Sequence, residues 1–106
     1  ETGIDQTFKA LADPVRREIL DRLRDQPGMN VNELSACFDM TRFGVMKHLK
    51  QLEEAGLVVS RKEWKEKKLY LNAVPIKQIA DRWISKFEDQ WAGRLGKLKT
   101  MIEEDE

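Results

Sequence analysis

The chain has few of the residues on which disulfides, metal centres and catalysis depend. Its 106 residues include one cysteine and one histidine. A single cysteine cannot form an intramolecular disulfide, and one cysteine with one histidine cannot complete a four-ligand zinc site within one chain. Nor does the sequence contain a glycine-rich phosphate loop or a set of nucleophile, base and orienting residue. It therefore predicts neither an enzyme nor a protein with a metal or another cofactor.

Long apolar runs are absent as well. No segment approaches the roughly 18 apolar residues of a membrane span, and the start lacks the basic-then-apolar pattern of a secretory signal. The hydrophobic residues, 41% of the total, nevertheless recur with helical spacing, as they do in folded domains. We therefore predict one cytoplasmic domain over residues 1–106, with no membrane partner.

The chain as a whole has no excess of charge of either sign, because its 19 basic side chains are balanced by 19 acidic ones. The balance is uneven along the chain. Residues 41–72 carry eight basic and four acidic side chains, a net charge of +4, whereas residues 1–40 carry −3 and residues 73–106 carry −1. The middle third can bind an anion despite the neutral total, although such a run can also be only a solvated surface.

Two helices are predicted before the basic third. Apolar groups at Ile4, Phe8, Leu11 and Ala12 follow a helical spacing and predict a helix over residues 4–12. Asp13-Pro14 then supplies an N-cap and a first helical residue, so a second helix is expected over residues 14–25.

A helix-turn-helix pair is predicted over residues 32–56. Asn32 is the expected cap of its short first helix, which includes Leu34, and Cys37 and Phe38 continue the apolar spacing. Thr41 is expected to cap the second helix, and Gly56 suits the left-handed position after its end. The apolar residues of this second helix, Val45, Leu49 and Leu52, should pack inward, which leaves its other side exposed.

A β-hairpin is predicted over residues 57–72. Leu57–Arg61 and Leu69–Leu71 favour strands, with the charged residues 62–68 as an exposed turn between them. Trp64 falls in this turn, where it is expected to fold back onto the aliphatic stems of the hairpin or, alternatively, to contact DNA sugars in the minor groove.

A long helix is predicted over residues 75–103, because apolar and aromatic residues recur there at spacings of three and four. This stripe is expected to form a dimer and domain core. The alternatives are an effector pocket at the dimer interface and a surface that pairs with the helix of another protein.

The order of these elements predicts a mainly α fold with a two-stranded β-wing (α+β), namely a winged helix-turn-helix with a long C-terminal dimerisation helix. In such a fold the start of the second helix of the pair enters the major groove, and the hairpin contacts phosphates or the minor groove. Phe43 and Met46 are expected to touch thymine methyls or else to pack within the domain. The predicted DNA contacts are Thr41, Arg42, Phe43, Met46, Lys47, Lys50, Arg61, Lys62, Lys65, Lys67 and Lys68.

The sequence also resembles a known family. The segments ALADPVRREIL (residues 10–20) and HLKQLEEAGLV (residues 48–58), with Leu69-Tyr70-Leu71, are similar to the ArsR/SmtB family of dimeric bacterial winged-helix repressors. The resemblance implies a homodimeric repressor that binds double-stranded DNA at a palindromic operator through these residues. It further implies that the first and last helices form the dimer interface. The predicted interface residues are Ile4, Phe8, Ile79, Trp83, Phe87, Trp91, Leu95 and Leu98.

The metal sites of that family have no counterpart here. The stretch corresponding to the arsenic-binding thiolates, residues 30–35, has no cysteine, and residues 75–106 have no histidine. The end of the chain is instead similar to a metal-free branch of the family. We therefore expect that an effector, if there is one, is a small molecule and not a metal, and the sequence does not identify it. The alternative is a metal-responsive repressor with a non-standard site.

The two rare residues have structural interpretations. His48 lies beside the apolar stripe of the second helix of the pair, so a hydrogen bond to a neighbouring helix is expected, with a DNA phosphate as the alternative partner. Cys37 is expected to be a small core hydrophobe, with a redox switch as the alternative.

Overall fold

The computed structural model describes residues 2–84, and side chains from residue 3 onward. Four helices precede an antiparallel hairpin, which confirms the mainly α fold with a two-stranded wing. The elements are α1 (Thr2–Leu11), α2 (Pro14–Asp25), α3 (Val31–Ser35), α4 (Arg42–Glu54), β1 (Val58–Glu63) and β2 (Glu66–Leu71). Residues 74–84 are also helical.

Side-chain caps set the start of three helices. The Asp13 carboxylate accepts a hydrogen bond from the amide of Val15 at 2.8 Å, and the Thr41 hydroxyl accepts one from the amide of Gly44 at 3.0 Å. Both caps were predicted. The predicted cap of α3 was wrong, because Asn30 and not Asn32 caps this helix.

Asn30 forms a reciprocal capping box with Glu33. Its side chain accepts from the Glu33 amide at 2.8 Å, and the Glu33 carboxylate accepts from the Asn30 amide at 3.1 Å. Two amides that the helix itself leaves unpaired are thereby satisfied, which favours Asn30 over Asn32 as the cap.

The core lies where α2, α3 and α4 meet the base of the hairpin. Its fully buried residues are Ile19, Leu23, Leu34, Val45, Leu52, Leu57, Val58 and Leu69. Helix α4 contributes Val45, Leu49 and Leu52, as their spacing predicted. Because these residues occupy one side of α4, the opposite side faces outward.

The hairpin is longer than predicted and its turn is shorter. Pairing runs from Val58↔Leu71 to Glu63↔Glu66, so only Trp64 and Lys65 connect the strands. Backbone bonds extend the pairing at the base, where Leu69 donates to Met29 and accepts from Gly28, each at 2.8 Å. This additional pairing holds β2 extended through residues whose charged side chains disfavour strands on their own.

Two glycines have the left-handed backbone that their positions require. Gly56 has a φ of 75°, as predicted for the residue after α4, and Gly28 has a φ of 88°. Gly28 also lies close to the Tyr70 ring, since a Cβ at this position would be 3.3 Å from the Tyr70 hydroxyl oxygen. Gly28 therefore lets the chain pass from α2 into the short segment that pairs with β2.

The chain divides into two compact units, residues 1–75 and residues 76–106. Helical structure begins at residue 74, one residue before the predicted start of the last helix, and residues 85–103 of that prediction lie outside the described part of the chain. Among the described residues, no helix is both long enough and apolar enough to cross a membrane.

Candidate nucleic-acid interface

The outward side of α4 carries exposed cationic and apolar residues. Phe43 is 68% exposed and Met46 is 44% exposed, and Arg42, Lys47 and Lys50 are exposed beside them. The Lys47 ammonium lies 4.9 Å from the centre of the Phe43 ring, within range of a cation–π interaction. The predicted outward orientation of these residues is confirmed, and packing of Phe43 within the domain is not observed.

The first turn of α4 is well suited to approach a phosphate. The Thr41 oxygen accepts a hydrogen bond from Gly44 as the helix cap, which leaves its hydroxyl proton able to donate. The partial positive charge of the helix N-terminus lies at the same place. Thr41 can therefore cap the helix and bind a phosphate oxygen at the same time.

Met40 also belongs to this surface, although the sequence did not predict it. It is exposed in the turn before α4, and its terminal methyl would be 3.1 Å from a Cβ added at Gly44. A glycine in the first turn of a helix is a signal that could have indicated such a close contact.

A groove of about 410 Å³ runs beside α4. Val31 at the start of α3 and Lys67 of β2 border it together with α4. Its lining residues are Val31, Phe43, Met46, Lys47, Leu49, Lys50, Glu53 and Lys67. Five of the predicted contacts thus share one concave surface. Four of them are on α4 (Phe43, Met46, Lys47 and Lys50) and one, Lys67, is on the wing.

The wing places charges of the same sign opposite each other. Arg61 pairs with Lys68 and Lys62 pairs with Lys67 across the strands, and the next pair is Glu63 with Glu66. Like charges directly opposite destabilise an antiparallel pair. The hairpin therefore places four cations side by side at a cost to its own stability, which the acidic partners of two of them offset in part.

Two of the wing lysines have acidic partners. Lys68 lies 3.0 Å from the Glu66 carboxylate, and Lys67 lies 3.4 Å from Glu53 of α4, which joins the wing to that helix. The hydrogen bond and charge of Lys68, with a further hydrogen bond from Asn30, lower the pKa of Glu66. Within residues 2–84, Arg61, Lys62 and Lys65 have no ion pair and are exposed.

Trp64 lies at the tip of the wing and is 96% exposed. The expectation that it folds back onto the hairpin was wrong. A backbone φ of 60° at Trp64 directs the chain into the two-residue turn, and the indole extends away from the strands.

His48 has the structural role that the sequence predicted, whereas Cys37 packs at the edge of the core and not within it. The Arg16 guanidinium of α2 contacts the His48 Nδ1 at 3.3 Å. Because arginine can only donate, Nδ1 is the acceptor. Cys37 is half-buried against the core, with its thiol 3.6 Å from the carbonyl oxygen of Glu33. No group of three or more potential metal ligands occurs within residues 2–84.

The predicted dimer residues fall only partly within the described chain. Phe8 is 46% exposed and Trp83 is 50% exposed, with Ile4 and Ile79 partly buried. The Arg82 guanidinium lies 5.1 Å from the centre of the Trp83 ring. Phe87, Trp91, Leu95 and Leu98 lie outside the described residues.

Comparisons with known proteins place the chain in a family. Residues 11–61 match the helix-turn-helix domain family. The chain is 40% identical over 86 residues to the uncharacterized HTH-type transcriptional regulator YuzN of Bacillus subtilis (strain 168), across 76% of this chain and 94% of that protein. It is 31% identical to an ArsR family transcriptional regulator of known crystal structure, with a TM-score of 0.70 across 86% of this chain and 92% of the other. The chain belongs to the ArsR family of transcriptional regulators.

A more distant ArsR-like neighbour shows the same fold. It is the homodimeric winged helix-turn-helix DNA-binding domain of a possible ArsR-family regulator from Mycobacterium bovis, 22% identical, with a TM-score of 0.65 across 86% of this chain and 84% of that one. As an ArsR family member, the chain is a transcriptional regulator with a winged helix-turn-helix DNA-binding fold. Its relatives are regulators and not enzymes.

Proposed function

We propose that the protein is a homodimeric repressor that reads a palindromic operator with α4 and holds the flanking DNA with its wing. The observation that carries this proposal is the two pairs of opposed cations on the wing, Arg61↔Lys68 and Lys62↔Lys67. A hairpin that gives up stability to concentrate positive charge gains most when a polyanion neutralises that charge. A protein-interaction module based on the last helix would not need such a wing.

In this proposal α4 reads bases and the wing supplies affinity. Arg42 and Lys47 donate hydrogen bonds to base edges or phosphates, and Phe43 and Met46 contact thymine methyls. Thr41 and Lys50 bind phosphate oxygens, as do the wing residues Arg61, Lys62, Lys65, Lys67 and Lys68. Lys67 does so while paired with Glu53, so it also orients the wing relative to α4.

The proposed dimer is supported by the family and by exposed aromatic side chains in α1 and in the last helix. The Mycobacterium bovis neighbour is a homodimer, and Phe8 and Trp83 each expose half of an aromatic side chain. The interface comprises α1 and the last helix, with Ile4, Phe8, Ile79, Trp83, Phe87, Trp91, Leu95 and Leu98. A two-fold dimer of this kind prefers half-sites about 34–36 Å apart.

The effector of the proposed repressor, if it has one, is not a metal. At the position of the arsenic-binding thiolates, the side chains of Asn30 and Glu33 are hydrogen-bonded to backbone amides in the capping box of α3. Amide groups are poor substitutes for thiolates toward soft metals. DNA affinity measured with and without a chelator should therefore be the same, and a change would favour the alternative of a non-standard metal site.

Selection of bound duplexes from a random pool, with the whole chain, tests the main proposal. The selected sites should be palindromic, and affinity should fall about 10³- to 10⁵-fold between 50 and 200 mM salt if the dimer contacts six to ten phosphates. Enrichment of no sequence, or affinity that is indifferent to salt, would contradict a sequence-specific operator-binding function.

A further inference from the structure

Trp64 combines two unfavourable properties for a folded domain. Its side chain is the most exposed of the large hydrophobic residues in the described chain, at 96%. Its φ of 60° lies in the left-handed region, where the Cβ of a bulky residue is crowded and glycine is preferred. Neither property is offset by packing, because an indole so exposed contacts little of its own chain.

The turn itself would be better served by another residue. With Glu63 paired to Glu66, Trp64 is the first of two central residues in the hairpin turn. When the first central residue of such a turn has positive φ, it is most often glycine, asparagine or aspartate. Strain retained in an exposed position indicates a contact that the isolated chain does not contain.

The surroundings of Trp64 indicate that this contact is with DNA. The cations Lys62 and Lys65 near the tip are exposed, and the two opposed cation pairs lie beyond the Glu63↔Glu66 pair that closes the turn. Both acids of this closing pair are engaged, because the Tyr70 hydroxyl donates to Glu63 at 3.1 Å and the Lys68 ammonium lies 3.0 Å from Glu66. The tip therefore presents an aromatic ring among free positive charges, a combination typical of surfaces that bind nucleic acid.

The length of the wing is comparable to the spacing between neighbouring grooves of B-DNA. The six residues of β1 extend about 20 Å from the buried Val58 to the tip, at about 3.3 Å per residue. The major and minor grooves of B-DNA alternate about every 17 Å, half of a helical turn. At about 6 Å wide, an undistorted minor groove accommodates a single indole more readily than a two-stranded hairpin.

We propose that Trp64 enters the minor groove beside each half-site and makes an apolar contact there. This contact increases the affinity for DNA without adding a charge contact. The inference rests on the proposed DNA-binding function and adds to it a contact distinct from the cationic ones. Charge contacts release counterions and set the salt dependence of binding, whereas an apolar contact leaves that dependence unchanged.

Trp64→Gly separates this role from a structural one. Glycine relieves the backbone strain and removes the ring, so the Tm should be unchanged or higher while affinity for a selected duplex falls roughly tenfold. The slope of log affinity against log salt should stay that of the wild type. Trp64→Phe keeps an aromatic face and should keep most of the affinity, and Lys62→Ala, the matched charge control, should lower the slope by about one per wing.

Each contrary result has a distinct meaning. The role of Trp64 would be overturned, with operator binding left intact, if Trp64→Gly bound DNA as tightly as the wild type, had a lower Tm or showed a reduced salt slope. It would also be overturned if Trp64→Phe bound DNA as weakly as Trp64→Gly. Netropsin bound in an A·T run at the flank should weaken the wild type to the level of Trp64→Gly, and an unaffected wild type would overturn the minor-groove placement. Failure of the wild type to bind any duplex would overturn the proposed function itself.

Discussion

Asp13 illustrates how one side chain can define the start of a helix. Partial burial raises the pKa of its carboxyl, but hydrogen bonds from the amides of Val15 and Arg16 outweigh this, so the pKa is lower than usual. A carboxyl whose pKa is lowered by folding stabilises the fold above its unfolded pKa, and that stabilisation is lost as the pH falls through the folded pKa.

Asp13→Ala should lower the free energy of unfolding by about 1 kcal/mol at pH 7 because the cap is lost. The deficit should shrink as the pH falls from about 4, the ordinary pKa of aspartate, toward the lower pKa of the folded carboxyl. Urea denaturation at several pH values measures both effects. Asp13→Asn is the matched control, since it retains an oxygen acceptor that does not titrate, and a deficit that persists unchanged in acid would contradict the charged cap.

Arg42 is the residue whose loss should alter sequence preference. It lies exposed in the first turn of α4, and arginine reads guanine by two parallel hydrogen bonds. We expect Arg42→Ala to weaken binding by about 1–3 kcal/mol at its preferred base pair and less at variants of that pair. Fluorescence anisotropy on a panel of single-base operator variants measures this, with Lys62→Ala as a control that should weaken all of them alike. If Arg42→Ala weakened all variants alike and Lys62→Ala did not, Lys62 and not Arg42 would be the residue that reads the base pair.

At the scale of elements, the wing carries an internal conflict. Lys62 faces Lys67 across the strands, so a negative charge at residue 62 would turn repulsion into attraction. Lys62→Glu should raise the free energy of unfolding by a few tenths of a kcal/mol up to about 1 kcal/mol and should weaken DNA binding. Thermal unfolding and anisotropy measure the two effects on the same sample.

Lys65→Glu is the matched control for that reversal. It makes the same change of charge in the turn, where no cation lies opposite in the strand pairing. It should weaken DNA binding without the gain in stability. If Lys62→Glu is no more stable than Lys65→Glu, the opposed cations are not what strains the hairpin.

The elements differ in how far the sequence could predict them. Local rules sufficed for α2 and α4, because Asp13, Thr41 and Gly56 mark their ends and the apolar spacing of Val45, Leu49 and Leu52 marks the buried side. The wing needed more than local rules, since the pairing of Leu69 with Met29 holds charged residues in strands that they would not form alone. The exposure of Trp64 could not be predicted either, because no sequence spacing indicates the direction of a side chain in a turn.

The candidate surface was predicted in outline for a related reason. The apolar spacing of α4 shows which of its residues are buried, so the exposure of Arg42, Phe43 and Lys47 could be predicted. Met40 and Val31 lie outside α4, and their place at this surface depends on how the turn and α3 fold against it. Whether each of these side chains contacts DNA stays a prediction.

At the scale of the whole molecule, the proposed dimer depends on apolar groups that are not part of the candidate DNA-binding surface. Trp83→Ala should remove interface area and shift the protein toward monomer in sedimentation velocity, with weaker operator binding as a result, because paired half-sites require a paired protein. Phe43→Ala, an exposed aromatic on α4, is the control and should remain dimeric. A Trp83→Ala protein that is still fully dimeric would move the interface elsewhere.

The two sides of α4 have a consequence for how such a regulator diversifies. The residues that hold the helix in place, Val45, Leu49 and Leu52, share no position with those that face outward, Arg42, Phe43, Met46 and Lys47. If α4 reads DNA as proposed, a mutation on the outward side can change the recognised site at almost no cost to folding. After gene duplication, descendants of this chain could drift to new target genes one outward residue at a time, each intermediate still a stable protein.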